Sequence, residues 1–373
     1  MKSAIIGTVG VPGRYGGFET LTENLVRFHD THNGPGEITV YCSAPAYDER
    51  PKTYLGARLR YLPLKANGIQ SIPYDMLTML DAVARRQDAM LILGVSGAAL
   101  LPLVRLFAPR CRIVTNIDGL EWKRDKWRGV AKWYLRLSEK MAVRWSHAVV
   151  ADNLAIAQHV RDAYGQEAEV IAYGGDHAIA PVPDRPDQSV LDGLPAHYAL
   201  GLCRIEPENN VAMILEAFAR ADRPLVFVGN WAHSAYGQRL KVQFGGRPNI
   251  HLVDPVYDPA TLQSIRRRAQ IYVHGHSAGG TNPALVEMMH FGVHVLAYDC
   301  PFNRFTTEQA ATYFSSADDL CEQVKPDNCA HPSNGTSMLE IAEREYTWDG
   351  ICARYFTLLT QKRPAGGIGK DDA

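Results

Sequence analysis

Short apolar runs separated by amphipathic stretches fill nearly the whole chain, and this alternation limits the fold more than any other feature. Residues 4–6, 38–41, 90–93, 112–115, 147–150 and 169–172 read as buried strands, with helical patterns such as Leu21, Leu25 and Phe28 between several of them. A second series follows at 198–202, 225–228, 250–253, 271–273 and 293–297. Strands alternating with helices imply an α/β chain with parallel sheets covered on both faces. Between the series lies Ala180-Pro181-Val182-Pro183-Asp184-Arg185-Pro186-Asp187, whose proline and charge mark a linker. The 373 residues suit about two domains of roughly 150 residues each. The expected division is 1–180 and 181–345, both doubly wound, then a helical stretch at 346–361 and a mobile polar tail at 362–373.

Composition removes several classes. A hydrophobic share of 46% is too high for a disordered chain. A net charge of -1 argues against a globally basic nucleic-acid binder, because counterion-driven binding needs excess Lys and Arg. There is no run of about 18 apolar residues to span a bilayer, and Met1–Gly7 lacks the apolar stretch of a signal peptide. The seven cysteines are scattered without a CxxC pair, which reads as reduced cytosolic thiols rather than a zinc site.

Three segments carry chemistry. Gly7-Thr8-Val9-Gly10-Val11-Pro12-Gly13-Arg14-Tyr15-Gly16-Gly17-Phe18-Glu19-Thr20 links the first strand to the first helix. Its glycines admit a ligand close to backbone N–H groups, and the helix N-terminus favours an anion such as a diphosphate. A plain strand-to-helix turn is the alternative. Gly7, Gly10 and Gly13 also fit a dinucleotide-binding spacing, but no acidic residue ends the second strand at Ser43, and Tyr61-x-x-x-Lys65 contains Pro63. The other two segments are 200–210, with Arg204, Glu206, Glu208 and Asn209, and 274–283, with His274, His276, Ser277 and the run Gly279-Gly280-Thr281-Asn282-Pro283. Both follow strands, where open α/β sheets bind ligands. Glu287 sits on the apolar helix after the second segment and needs a polar partner.

Taken together, Gly16-Gly17-Phe18-Glu19-Thr20, Arg204-Ile205-Glu206-Pro207-Glu208-Asn209 and Gly279–Pro283 with Glu287 resemble retaining nucleotide-sugar glycosyltransferases of family 4, which have the GT-B fold. The phrases PGRYGGFET (Pro12–Thr20), DGLEWKR (Asp118–Arg124) and HGHSAGGTNP (His274–Pro283) resemble bacterial rhamnosyltransferases of polysaccharide synthesis, and the likeness extends to about Leu359. The resemblance implies that Gly16 and Gly17 approach the donor diphosphate and that Arg204 neutralises it. It implies that Gly280, Thr281 and Asn282 turn amides to the phosphates, that Glu287 holds the ribose, and that two Rossmann-like domains are joined by a helix at 346–361 crossing back to the first, rather than docked on the second alone. Two positions depart from the pattern. The first glutamate of the family's E-x7-E motif is replaced by Gly279, and its lysine by Asn209. His276, Ser277 and Asn282 are the nearest polar replacements, and Asn209 remains a donor-site candidate.

A nucleoside diphosphate leaving group needs its developing charge stabilised. Arg204 and oriented amides supply that without a metal or other cofactor. The resemblance implies retention through an oxocarbenium-like transition state. The resemblance implies that Asp118 replaces a family histidine on the donor sugar or orients the acceptor hydroxyl, a helix-cap or turn aspartate being the alternative; with Arg204 and His276 it completes the candidate catalytic set.

The segment 121–145 is locally anomalous, with four tryptophans and an excess of five positive charges. Arg128, Lys132, Arg136, Lys140 and Arg144 recur every four residues along one helical face, and Val130, Trp133 or Tyr134, Leu137 and Met141 form the apolar face. Such a helix lies on an anionic membrane, or is a scaffold helix with a solvated basic face. The expectation is a transferase on the inner face of the cell membrane. It would move L-rhamnose from dTDP-L-rhamnose to a polyprenyl-diphosphate-linked saccharide. The alternatives are another nucleotide-sugar transferase, a GT-B epimerase, an NAD(P)-dependent oxidoreductase and a noncatalytic sugar-nucleotide binder.

Overall fold

A computed structural model of the chain describes residues 1–13, 16–34, 36–117, 119, 122, 129–325 and 333–361. Asp118, Arg128 and the tail at 362–373 lie outside the described residues.

The first lobe runs β1 (Lys2–Ile6), α1 (Gly17–Thr31), β2 (Glu37–Ser43), β3 (Thr53–Tyr54), β4 (Ala57–Leu62), α2 (Ser71–Ala84), β5 (Ala89–Leu93), α3 (Leu101–Phe107), β6 (Arg112–Asn116), α4 (Gly129–Trp145), β7 (Ala148–Ala151), α5 (Leu154–Tyr164) and β8 (Glu169–Val170). Its eight strands are ordered β3-β4-β2-β1-β5-β6-β7-β8, and all pair in parallel except β3 with β4. Ile5 and Ile6 are closed off from water, as befits a central strand covered on both faces. On α1, Leu21 and Leu25 are fully buried, each stabilising by about 1.5–3 kcal/mol. The helices α2 to α5 cover the opposite face through Met79, Val104, Val143 and Val160.

The second lobe runs α6 (Gln188–Asp192), β9 (Tyr198–Leu202), α7 (Val211–Ala221), β10 (Leu225–Val228), α8 (Ala235–Phe244), β11 (Ile250–Val253), α9 (Pro259–Arg268), β12 (Ala269–His274), α10 (Pro283–Met289), β13 (His294–Tyr298), α11 (Pro301–Thr306), β14 (Thr312–Phe314), α12 (Ala317–Val324) and α13 (Gly335–Glu345). Its six strands pair in parallel in the order β11-β10-β9-β12-β13-β14. Local chemistry starts these helices cleanly: Ser234, Asp258, Asn282 and Ser316 each cap an N-terminus through the side chain, and α9 and α10 open on proline.

The chain crosses between lobes after β8, where Ile171 and Tyr173 enter the first core and Ala172 the second. It returns in α14 (Trp348–Thr360), whose Ile351, Cys352, Tyr355 and Leu359 lie in the first-lobe core. Tyr355 Oη accepts from Asn116 Nδ2 at 2.7 Å, fixing α14 to the end of β6.

The buried face of α4 departs from expectation. It is Leu135, Ser138, Glu139, Ala142 and Val143, whereas Val130 and Trp133 are 80% and 64% exposed. The reason is Glu139. Its carboxylate accepts from Trp122 Nε1 at 2.9 Å, His159 Nε2 at 3.0 Å and Tyr164 Oη at 2.7 Å. Three donors offset its desolvation, so the helix turns a carboxylate inward and leaves a tryptophan outside.

Candidate active site

Both sheets reverse their strand order beside their first strand. β1 lies between β2 and β5, and β9 between β10 and β12. The crevice outside such a reversal is where an α/β sheet takes its ligand, because the loops on either side diverge. The glycine loop leaves β1 at its carboxyl end, and the Arg204 loop leaves β9 at its own.

The glycine loop is tied down from within. Buried Glu19, on the first turn of α1, accepts from Val9 N at 2.8 Å and Thr8 Oγ1 at 3.1 Å. Gly16 has φ 130, and a Cβ there would stand 1.9 Å from Glu19 Oε2. Only glycine meets both conditions. Gly17 opens α1, whose N-cap residue Gly16 offers no side-chain acceptor to the first amides of the helix.

In the second lobe, the β9 and β12 loops are stitched together. Ser277 donates from N and Oγ to the Glu208 carbonyl at 3.0 and 2.8 Å. Asn209 is buried; its Nδ2 donates to the Arg204 carbonyl at 2.7 Å and its Oδ1 lies 2.6 Å from His276 Nδ1. An amide oxygen only accepts, so the proton sits on His276 Nδ1 and the lone pair on Nε2, beside Gly279. Asn209 therefore reaches the site through Arg204 and His276. The Arg204 guanidinium is about half exposed and stands 3.6 and 3.7 Å from Glu206 and Glu208, too far for a hydrogen bond. It is held loosely enough to turn to an anion.

Gly280 and Thr281 lie at the seam between lobes. A Cβ on Gly280 would stand 1.9 Å from Asp152 Oδ1, and Thr281 Oγ1 donates to the Asp152 carbonyl. Asn153 Nδ2 lies 3.3 Å from Thr281 Oγ1, Thr306 Oγ1 and the Phe302 carbonyl. Asn282 caps α10 by accepting from Ala284 N at 3.0 Å. His274 is buried with Nδ1 3.1 Å from Tyr272 Oη, and burial, then neighbouring His276, push its imidazole well below the ordinary value.

Glu287 has two partners that sequence reading missed. Arg266, buried at the end of α9, pairs with Oε2, and His177 Nε2 lies 3.3 Å from Oε1. Trp348 Nε1 donates to His177 Nδ1 at 2.9 Å, which leaves the His177 proton on Nε2, aimed at Glu287. Burial works to raise the Glu287 carboxyl, but Arg266 and then His177 outweigh it and hold the group below its ordinary value. The only sequence signal was that a carboxylate on an apolar helix demands a partner. Hydrogen bonds thus join Arg204, Asn209 and His276, while Gly280 and Thr281 contact Asp152, Asn282 caps α10, and Glu287 pairs with Arg266 and His177. Lys132, Arg136 and Lys140 stand apart on the exposed face of α4, with Arg136 4.9 Å and Lys132 5.9 Å from the Trp122 ring centroid.

Residues 1–176 match a family described as a domain of unknown function, DUF1972. No curated protein matches the chain by sequence. Among solved structures, the sucrose-phosphate synthase of Thermosynechococcus elongatus superposes with TM-score 0.76 at 13% identity, covering 96% of this chain and 98% of its own. HepE of Anabaena, in complex with UDP-glucose, gives TM-score 0.69 at 14% identity over 96% of this chain and 99% of its own. The catalytic domain of starch synthase IV from Arabidopsis thaliana, bound to ADP and acarbose, gives 0.71 at 12% identity over 96% and 98%. Two mainly parallel Rossmann-like sheets, the returning C-terminal helix and superposition of 96% of the chain on these structures identify the architecture: the chain has the GT-B fold.

Proposed function

We propose that the chain is a retaining glycosyltransferase of family 4 that takes its sugar from a nucleoside diphosphate donor. The observation that carries this reading is the contrast between two arginines of the second lobe. Arg204 is loosely paired at the mouth of β9, where a diphosphate would claim it, while Arg266 is buried on Glu287 and keeps that carboxylate ionised. Such a lobe offers a cation to the leaving group and an anion to the hydroxyls of a ribose. As the donor's glycosidic bond breaks, negative charge grows on the diphosphate, and Arg204 with the first amides of α1 and the 280–282 loop stabilises it. The His276 Nε2 lone pair accepts from a donor-sugar hydroxyl, replacing the contact that Gly279 cannot make. No metal is needed for this division of labour. HepE is in complex with UDP-glucose, which supports a nucleotide-sugar donor here as well.

The donor proposed is dTDP-L-rhamnose and the acceptor a polyprenyl-diphosphate-linked saccharide of cell-surface polysaccharide synthesis. α4 is proposed to face the inner leaflet through Lys132, Arg136 and Lys140. Donor binding tests the reading by thermal stabilisation. A ligand at 100 times its Kd should stabilise the fold by about 2.7 kcal/mol. Stabilisation by dTDP or UDP but not NADH is the expected result. Stabilisation by NADH alone would favour an oxidoreductase, and donor binding without turnover on any lipid-linked acceptor would favour a noncatalytic role.

A further inference from the structure

Twelve large apolar side chains are exposed among the described residues, and eight of them fall between Ile69 and Trp133. The second lobe contributes only Val242 and Tyr257. The eight lie on or beside three helices that pack on one face of the first sheet, α2, α3 and α4. Leu77 and Leu80 face out from α2, each 47% exposed. On α3, Leu103, Leu106 and Phe107 are 49%, 69% and 70% exposed. Trp133 continues the surface onto α4. A surface helix normally turns polar residues to water, and an apolar surface shared by three neighbouring helices marks a docking face.

The helices are held side by side. Arg105 of α3 donates to the Trp145 carbonyl at the end of α4, and Ser138 of α4 accepts from Ala99 N at 3.1 Å, just before α3. Among the described residues of α2, α3 and α4, the outward charges not paired with one another are cationic. Arg136, Lys140 and Arg144 are exposed on α4, whereas its one acid, Glu139, is buried. Asp81 of α2 is paired with Arg60 and Arg85. A symmetric second copy would set these cations against themselves. A bilayer rich in anionic lipid complements both the cations and the apolar side chains.

We infer that the outer face of α2, α3 and α4 is a membrane-docking plane, in which Leu106 and Phe107 enter the headgroup boundary and Lys140 and Arg144 meet anionic lipid. Helices in such a sheet run away from the crevice, so the amino end of α4 sits at the crevice rim and its carboxyl end beside Phe107. The plane therefore extends from the rim down the lobe. It deepens the lipid-acceptor reading and rests on that reading for its purpose. Its binding is measured without donor or acceptor, so either can fail alone.

The test is cosedimentation of the full chain with phosphatidylcholine vesicles, with and without phosphatidylglycerol. The chain should bind the anionic vesicles. The double variant Leu106→Ser with Phe107→Ser should partition at least about tenfold more weakly, because each lost apolar side chain removes part of its burial energy. Lys140→Glu with Arg144→Glu should abolish the preference for phosphatidylglycerol while circular dichroism stays unchanged. No binding of the wild-type chain to anionic vesicles at low salt would overturn the inference. So would wild-type binding by the serine variant, or a solution dimer that the serine variant converts to monomer.

Discussion

Arg204→Ala will lower sugar transfer by about 10²- to 10³-fold while leaving the melting temperature nearly unchanged. The two halves of that expectation come from the same geometry. The guanidinium is about half exposed and stands 3.6 and 3.7 Å from Glu206 and Glu208, so the folded state gains little from it. Its removal would also leave Glu206 and Glu208 beside the proposed diphosphate site with no cation between them. Repulsion then adds to the lost attraction as charge develops on the leaving group. Arg204→Lys should recover part of the rate, since a point charge replaces the fork but not its two-pronged geometry. Steady-state kinetics and thermal melts on the same preparations check both halves. A variant that unfolds early, or one that transfers at the wild-type rate, contradicts the assignment.

Arg266→Met is expected to do the reverse, destabilising the protein by about 3–5 kcal/mol because it strands a buried carboxylate. Burial tends to raise the Glu287 carboxyl, and Arg266 is the chief reason it lies below its ordinary value instead. A carboxyl lowered on folding adds stability above its unfolded value, and that stability is lost as pH falls through the folded value. With methionine in place, burial is opposed only by His177. The folded value then rises above the unfolded one, and stability declines as pH increases through that range. The deficit against wild type should thus be largest near neutral pH and shrink in acid. Adding Glu287→Gln to Arg266→Met should return much of the loss. Thermal melts across pH decide it; a deficit independent of pH would mean that only packing was removed.

Much of the architecture was legible because central parallel strands are apolar throughout. Ile5, Leu91, Val114 and Val226 announce themselves. β3, β4 and β14 did not, although the edge strands β8 and β11 did. β4 reads Ala57-Arg58-Leu59-Arg60-Tyr61-Leu62, half polar because one side meets solvent, and β3 has two residues. The packed face of α4 was misread for a different reason. Its burial is set by Trp122, His159 and Tyr164, which reach Glu139 from 17 to 25 positions away. Periodicity within a helix holds no record of such partners. The same applies at Glu287. Its need for a partner was readable, but Arg266 and His177 come from α9 and the lobe crossing, and only the fold brings them together. Asn209 and Gly279 were visible as departures from the resemblance. What Asn209 does, linking the Arg204 carbonyl to His276, depended on two loops meeting.

Sugar transfer from a nucleoside diphosphate donor is the role proposed for the chain, and one assay measures it. The full chain is incubated with dTDP-L-rhamnose and a synthetic polyprenyl-diphosphate saccharide, and product is read by mass spectrometry with Arg204→Ala as the control. An acceptor extended by one rhamnose with matching release of dTDP is expected of that role, both strongly reduced in the variant. No extended acceptor with this or any other nucleotide sugar, in a protein that is folded and unaffected by nucleoside diphosphates, would contradict it.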